Sequence, residues 1–508
     1  MIVKTKIVQG KYLDSVKLML ISKELRTQAG VQDAVAILAT RENMEILSVT
    51  DMLVDEISSA GETDLVIVIK ADTDEQATKA MAKAEALLND TTSKASSGSS
   101  VARSLKTAVQ ALEGANLCLI SVAGKYAAQE ADQALEEGLH VMIFSDNVSL
   151  EDELSLKQKA VSKGLLLMGP DCGTAIINGC PLGFANRIPE GKIGIVSAAG
   201  TGLQEVSVTI AHLGFGVSQA FGTGGRDGKQ AIGGIMLSAC LDYLTQDADT
   251  EVIIMIAKTP DPEVRKMLWR QIENTAKPVI VCFLQPVEHP DLPNLHYCTS
   301  LEDSAHRACI EMSKLFGESA IANINPDISM PKLGATRDLL IGLYSGGTLC
   351  YEAQQLYHQY FARYPLSNTP LHPDNKAEDV WNCAGDCFID LGSDEFTVGR
   401  PHPMIDYSLR MKMLEHMGNR DDVAVIILDV VLGYGAHPDP AEEILAVLSR
   451  VNSEIPIVCH VLGTRQDPQD AYMQAEKLRA AGLVVFTSHH AAADFAIRTL
   501  QSHRRIDE

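Results

Sequence analysis

Residues 191–206 read GKIGIVSAAGTGLQEV, which predicts a strand, a tight turn and a helix in direct succession. The apolar run Ile193–Val196 is rich in β-branched residues, and the turn after it carries only small side chains. We expect the helix to begin at Thr201 or Gly202, so that its unpaired N–H groups and the positive end of its dipole face the turn. Small side chains let an anion approach that backbone. Neither the P-loop nor the G-x-G-x-x-G spacing fits, so the stretch predicts a different kind of anion-binding turn.

The same pattern occurs a second time at residues 341–354, IGLYSGGTLCYEAQ. Such turns also occur in α/β proteins with no ligand at all. Two copies, each opening a separate βα domain, favour a joint site in which two helix starts face one anion. The residues of this predicted site, called the anion cradle below, are Ser197, Gly200, Thr201, Gly202, Ser345, Gly346, Gly347 and Thr348.

Composition narrows the class of protein. The chain has 508 residues, of which 46% are hydrophobic and 21% charged, as in soluble multidomain proteins. With 66 acidic and 43 basic residues the net charge is −23, which argues against nucleic acid and membrane partners and favours small anions held by local groups. We expect a cytoplasmic protein with no signal peptide and no metal site, and with its 11 cysteines reduced and mostly buried.

Alternating β-rich and helical patterns predict an α/β fold of parallel sheets flanked by helices. We predict three domains: a Rossmann-like domain over 1–189, and two flavodoxin-like domains over 190–319 and 337–508 that repeat one another. The polar stretch Asp90–Ser100 is predicted to be an exposed linker within the first domain, and Ala320–Arg337 a linker between the second and third.

Longer motifs carry a family resemblance. The run GPDCGTAIINGCPLGFANRIPEGKIGIVSAAGTGLQEV at 169–206, with FGTGGRDGKQAIGG at 221–234, resembles the α-subunit of succinyl-CoA synthetase. The third domain is similar to the carboxy-terminal domain of that enzyme's β-subunit. The whole chain, including RPHPMID at 400–406 and DVVLGYGAHPDP at 429–440, resembles the FdrA family. The resemblance implies a CoA-binding-like first domain, and two facing helices that in the synthetases hold the phosphate of a phosphohistidine.

Three departures from the synthetase pattern alter the implied chemistry. The segment QPVEHPDLPNLHYCTS at 285–300 stands where the synthetases carry their phosphorylated histidine, and neither His289 nor His296 has the matching context. Lys258 stands where a glutamate orients that histidine. QGKYLDS replaces the glycine-rich CoA loop, and the remaining length leaves no room for an ATP-grasp domain. The resemblance therefore implies a site that binds free phosphate or an acyl phosphate as substrate, with no certain cofactor.

For the FdrA family the resemblance implies carbamoyl transfer in allantoin degradation, in which oxalurate and phosphate are interconverted with oxamate and carbamoyl phosphate. The chain would be one subunit of a homo- or hetero-oligomeric transferase acting on small anionic substrates with partner subunits. Two alternatives stay open: an ADP-forming acyl-CoA synthetase, which is an acid–thiol ligase, and a non-catalytic scaffold or effector-binding subunit.

Several residues are candidates for catalysis or substrate binding, each with a structural alternative. Lys258 is expected to face the anion, unless it is a solvent-exposed lysine at a strand end. His402 is expected to protonate a leaving nitrogen or bind an anion, unless it only bonds backbone. Arg226 is expected to bind a substrate carboxylate through two parallel hydrogen bonds, unless it forms a salt bridge within its turn. The remaining candidates for substrate binding are Gly225, Asp227, Arg400, Asp171 and Cys172, the last of which is either a thiolate or a packed thiol.

Overall fold

The structure is a computed structural model that describes residues 2–10, 13, 15–40, 43–44, 47, 52, 54–57, 59–61, 63–89, 102, 104–316, 326, 328–397, 401–452 and 454–506. It forms two compact units. The first comprises Met1–Ala115, Ser121–Tyr126 and Asp394–Pro401, and the second Asn116–Ile120, Ala127–Ser393 and His402–Glu508. The predicted linker at 90–100 and the candidate Arg400 lie outside the described residues.

The first unit contains a small antiparallel sheet. Its elements are β1 (Ile2–Val8), α1 (Ser15–Arg26), β2 (Val31–Leu38), β3 (Leu65–Ala71), α2 (Asp74–Asn89) and α3 (Leu105–Ala111). Strand β3 lies between β1 and β2 and is antiparallel to both, and apolar clusters cover the two faces of the sheet. The prediction of a parallel sheet for these strands is therefore wrong. Residues 1–115 belong to this unit, and the predicted domain bounds of 1–189, 190–319 and 337–508 stay predictions.

The second unit begins with a three-stranded parallel sheet of order β4-β5-β6. Its elements are β4 (Leu117–Ile120), α4 (Gly124–Glu136), β5 (His140–Ile143), α5 (Leu150–Ser162) and β6 (Leu167–Met168). Helix α5 is amphipathic but carries two charged residues, Glu153 and Lys157, on its buried face.

A seven-stranded sheet follows, in the order β13-β12-β11-β9-β10-β7-β8. It is parallel except at β7, which is antiparallel to both of its neighbours. The elements are β7 (Thr174–Ile177), β8 (Cys180–Gly183), β9 (Glu190–Ser197), α6 (Gly200–His212), β10 (Val217–Gly222), α7 (Ile235–Gln246), β11 (Val252–Ile256), α8 (Pro262–Glu273), β12 (Val279–Cys282), β13 (Leu295–Cys298) and α9 (Leu301–Phe316).

A fully parallel six-stranded sheet completes the unit, in the order β15-β16-β14-β17-β18-β19. The elements are β14 (Leu339–Tyr344), α10 (Gly347–Phe361), β15 (Leu366–Ser367), β16 (Cys387–Asp390), α11 (Asp394–Thr397, within the first unit), α12 (Ser408–Gly418), β17 (Val423–Val431), α13 (Pro440–Leu448), β18 (Ile457–Leu462), α14 (Ala471–Ala480), β19 (Val484–Phe486) and α15 (His489–Ile506).

The two larger sheets share one continuous apolar core, to which both α6 and α10 contribute. Strands β9 and β14 lie in the interior of their sheets and lead directly into these two helices. Cys383 and Cys387 are joined as a disulfide, so the expectation that all cysteines are reduced is wrong for this pair. None of the described helices is long and apolar enough to cross a bilayer.

Candidate functional site

The two glycine-rich helix starts lie against each other. Helix α6 begins at Gly200 and α10 at Gly347, within two residues of the expected start of α6. A Cβ placed on Gly346 would lie 2.9 Å from Thr201 Cγ2, and one on Gly202 would lie 3.1 Å from Thr348 Cγ2. Side chains of any size at these two glycines would push the helices apart. The structure thus brings together both halves of the predicted anion cradle.

The turn before α10 already binds a carboxylate of the chain itself. The backbone N–H groups of Ser345 and Gly346 and the Ser345 hydroxyl donate to the carboxylate of Asp429 at 2.8–3.0 Å. Asp429 is fully buried and paired with Arg410, at 2.6 Å. Asp390 is a second carboxylate at this helix start, because a Cβ on Gly347 would lie 2.7 Å from Asp390 Oδ2. Two carboxylates of the chain itself therefore already face the α10 start.

The start of α6 has no such internal anion among the described residues. The Ser197 hydroxyl is used within the turn, where it accepts from the N–H of Ala199 at 3.0 Å and donates to that residue's carbonyl at 2.8 Å. No described residue accepts a hydrogen bond from the N–H groups of Gly200, Thr201 or Gly202, which are the first three residues of the helix. The α6 start is consequently the half of the anion cradle that is better able to bind an external anion.

His402 lies close to the turn before α10. A Cβ on Gly392 would lie 2.8 Å from His402 Nε2, 2.7 Å from the Ser345 carbonyl oxygen and 3.3 Å from Asp390 Oδ1, so these groups surround one point beside α10. The ring of His402 also packs 5.8 Å from that of Phe184. Toward α6, the Phe184 carbonyl accepts from Thr174 Oγ1 at 2.8 Å, and that hydroxyl faces Gly200.

The protonation state of His402 follows from its surroundings. Burial lowers the pKa of its imidazole to about 4, against the opposing charge of Asp429. Its Nδ1 accepts a hydrogen bond from the Met404 N–H at 3.3 Å, which leaves the proton of the neutral ring on Nε2. Near neutral pH the side chain is thus a hydrogen-bond donor. Its predicted role in protonating a leaving nitrogen or binding an anion stays a prediction.

Lys258 is exposed just beyond the end of β11. Its Nζ lies 5.6 Å from the centre of the Tyr351 ring, on the second turn of α10. Ile256, two residues earlier, contacts the position of Gly202 at the α6 start. The structure therefore places this cation beside the anion cradle, and its predicted role in binding an anion stays a prediction.

The remaining candidates have internal partners or lie in the adjoining loops. Arg226 Nη2 contacts Glu153 Oε2 and the Val148 carbonyl, both at 2.8 Å, so its ion pair is with α5 and not within its own turn. Its predicted role in binding a substrate carboxylate stays a prediction. Asp227 is fully buried, accepts from the N–H groups of Met236 and Leu237 at the α7 start, and bonds Lys157 at 2.8 Å.

Cys172, Asp171 and Gly225 lie in loops next to these residues. Burial raises the pKa of Cys172 to about 12, so it is a packed thiol and not a thiolate. Asp171 is exposed with a φ of 57°, and Gly225 is an exposed loop residue.

Sequence reasoning missed Asp429, Asp390 and Thr174, although an aspartate inside the apolar run of β17 is a signal that could have been noticed.

Neither of the two histidines in the segment 285–300 is placed like a group awaiting phosphorylation. His289 stacks on Tyr297 with ring centres 4.7 Å apart. His296 lies 2.9 Å from Arg307 and 3.3 Å from Glu311, both on α9.

The comparisons with known proteins agree with this architecture. A family model described as CoA-ligase matches residues 343–499, and one described as CoA binding domain matches 189–285. The α-subunit of malate–CoA ligase from Methylorubrum extorquens is 31% identical over 195 residues, which cover 36% of this chain and 63% of that one. The match to a solved acetyl-CoA synthetase of Ca. Korarchaeum cryptofilum covers 77% of this chain and 83% of that one, with 14% identity and a TM-score of 0.32. Fold and matches together define a CoA-ligase-type α/β protein with succinyl-CoA-synthetase-like domains.

The relative YahF of Escherichia coli strain K12, described as uncharacterized, is 39% identical over 501 residues, covering 96% of each chain. A third family model, described as the heavy metal-associated domain of AllF, matches residues 1–104. The chain belongs to the FdrA family.

The metal named in that third description does not fit the residues present. Residues 1–104 contain no cysteine and no histidine, the side chains that bind soft heavy metals. In the purified full-length protein, equilibrated with zinc or copper under reducing conditions, we expect footprinting to locate no stoichiometric metal within residues 1–104. Stoichiometric metal located within residues 1–104 by footprinting would contradict this expectation.

Proposed function

We propose that this chain is the phosphate-binding subunit of an enzyme that transfers an acyl or carbamoyl group to or from phosphate. The observation that carries the proposal is the start of α6, where three backbone N–H groups have no acceptor among the described residues. Lys258 follows the strand whose Ile256 contacts this start, and His402 lies beside the turn before α10. These donors suit the oxygens of a phosphate or an acyl phosphate, whereas the α10 start, which already faces Asp429 and Asp390, serves mainly to hold α6 in place.

For the carbamoyl reaction, an oxygen of hydrogen phosphate attacks the ureido carbonyl carbon of oxalurate. The bond from that carbon to the oxamate nitrogen breaks, and the proton of hydrogen phosphate passes to this nitrogen, so no further co-reactant is required. Neutral His402 would donate a hydrogen bond from Nε2 to the developing oxyanion or leaving group. Its low pKa suits this role, because the phosphate itself supplies the proton.

The second candidate is an ADP-forming acyl-CoA ligase, which the matches to CoA-ligase and CoA binding domain models favour. That activity would need a phosphorylated residue or a phosphorylated acid as an intermediate. His402 is the candidate histidine that lies beside the turn before α10, and its buried ring would have to become accessible for phosphorylation.

One set of assays separates the two candidates. The full-length protein, alone and with any subunits that copurify with it, is incubated with oxalurate and phosphate and assayed for carbamoyl phosphate. Parallel samples receive ATP, CoA and a dicarboxylic acid and are assayed for ADP, acyl-CoA and acid-labile phosphoprotein. Carbamoyl phosphate without ATP supports the first candidate, ADP with acyl-CoA supports the second, and neither product in the complete complex contradicts both.

Lys258 provides a separate test of anion binding. Replacement by methionine should raise the phosphate Kd by roughly fivefold to tenfold at low salt, since a nearby cation contributes about 1 kcal/mol at partly exposed sites. The effect should shrink in 0.5 M salt, and Lys258→Arg should retain most of the affinity. Lys229→Met, in an exposed loop, is the matched control. Equal affinities of the Lys258→Met and Lys229→Met variants would remove Lys258 from the site.

A further inference from the structure

Two buried glutamates occupy the same position in the two cradle helices. Glu205 is the sixth residue of α6 and Glu352 the sixth residue of α10, and each is no more than 3% exposed. The backbone N–H groups of Glu205 and Glu352 lie beyond the first turn of their helices, so they are not available to bind an external anion at the helix starts. Two carboxylates buried in an apolar core need specific partners, because a buried charge without them is costly.

Each glutamate binds the first residue of a helix that belongs to the other large sheet. Glu205 Oε1 accepts from the backbone N–H of His489, where α15 begins, at 2.9 Å. Glu352 Oε1 accepts from the backbone N–H of Leu301, where α9 begins, at 2.8 Å. The two caps are therefore crossed: α6 holds the last helix of the six-stranded half, and α10 holds the last helix of the seven-stranded half.

The second oxygen of each carboxylate faces a histidine. Glu352 Oε2 lies 2.6 Å from His489 Nδ1, and Glu205 Oε2 lies 3.0 Å from His460 Nε2. The two histidine rings are 5.8 Å apart and fully buried. Burial raises the pKa of Glu352, but the hydrogen bond and charge of His489 outweigh burial and bring the net pKa below its ordinary value. The carboxylate of Glu352 is thus held in its charged form.

We propose that Glu205 and Glu352 are positioning residues of the anion cradle, whose crossed caps hold the starts of α6 and α10 in contact before any ligand binds. This inference rests on the proposed phosphate site. Three to six residues upstream of the glutamates, the helix starts meet at Thr201 against Gly346 and at Thr348 against Gly202. A helix is stiff over one and a half turns, so fixing both helices at their sixth residues fixes their first residues as well. Loss of either cap should let the starts separate and weaken anion binding.

The test is calorimetry of full-length Glu205→Ala, Glu352→Ala and the double variant with inorganic phosphate. Each single variant should raise the phosphate Kd at least tenfold. The double variant should lose little more than the weaker single one, because both substitutions disrupt the same placement. Glu205→Gln and Glu352→Gln keep the oxygen that accepts the backbone hydrogen bond, so their Kd values should stay within about threefold of wild type.

Leu356→Ala supplies the matched control, since it creates a cavity in the buried face of α10 away from the helix start. Glutamate variants that weaken phosphate binding no more than Leu356→Ala, at a similar loss of thermal stability, would overturn the positioning role. Strictly additive losses in the double variant would overturn it as well. A wild-type protein that binds no phosphate would instead refute the proposed function, so the two failures are distinguishable.

Discussion

Replacement of Lys157 by methionine should lower the free energy of unfolding by about 3 to 5 kcal/mol, as expected when one partner of a buried ion pair is removed. The Lys157 ammonium is fully buried, 2.8 Å from both Glu153 and Asp227 and 3.0 Å from the Thr223 carbonyl. Methionine fills a similar volume but leaves two buried carboxylates, of which Glu153 retains Arg226 and Asp227 retains only N–H donors.

Chemical denaturation of the full-length protein measures this loss, with Lys159→Met as the control on the same helix. Lys159 pairs with Asp132 and Glu136, both more than half exposed, and such pairs contribute about 1 kcal/mol or less. A Lys157 variant no less stable than the Lys159 variant would show that the buried network contributes nothing. Full activity in a folded Lys157 variant is compatible with this prediction, since the network is structural.

Replacement of His402 by alanine should lower kcat by roughly a hundredfold in whichever transfer assay proves positive, the usual loss when one preorganised hydrogen-bond donor is removed. His402→Gln should recover a large part of that rate, because the glutamine amide nitrogen can occupy the place of Nε2 and donate there. The expected difference between the two variants follows from the neutral state of the ring, whose Nδ1 accepts from Met404.

The pH dependence adds a second readout for His402. With a pKa of about 4 in the folded protein, below its ordinary value, the imidazole stays neutral as the pH falls from 8 to 5. We therefore expect no loss of rate near pH 6.5 from this residue. Since the unfolded chain binds the proton first, wild type should lose stability between about pH 6.5 and 4, and His402→Gln should lose less. A fall in the rate near pH 6.5 that is present in wild type and absent in His402→Gln would contradict the neutral state assigned to His402.

The patterns that predicted the fold best were long apolar strands followed by small-residue turns. The predicted apolar run Ile193–Val196 lies within β9, and α6 begins at Gly200, close to the expected residue. Prediction from the sequence was wrong where the direction of a strand depends on which strand it pairs with. The patterns around β1 and β2 predicted parallel βα units, but both strands pair antiparallel with β3. Helices α9 and α15 were not predicted, and they are the two helices capped by Glu205 and Glu352.

For the site, the sequence indicated the two helix starts but not their unequal environment. Asp429 is 84 residues from Ser345 in the chain, and only the parallel pairing of β14 with β17 brings its carboxylate to that turn. Arg226 was a candidate for binding a substrate because its partner Glu153 could not be recognised from the sequence. Glu153 is on α5, more than 70 residues away in the chain. The i, i+4 pair of Glu153 and Lys157 on an otherwise apolar helix face was the signal that a buried ionic network was present.

Phosphate binding to Gly200→Val tests the central claim most directly. A Cβ at Gly200 meets only Thr174 Oγ1, at 3.7 Å, so the substitution changes the space before the α6 N–H groups without a backbone clash. Gly385→Val, where a Cβ also finds only an ordinary contact, at 3.8 Å, is the control. In calorimetry, wild type and Gly385→Val should bind phosphate with a Kd of about 1 mM or tighter, and Gly200→Val at least tenfold more weakly. A wild-type protein that binds no phosphate, or a folded Gly200→Val variant that binds it equally well, would contradict the account.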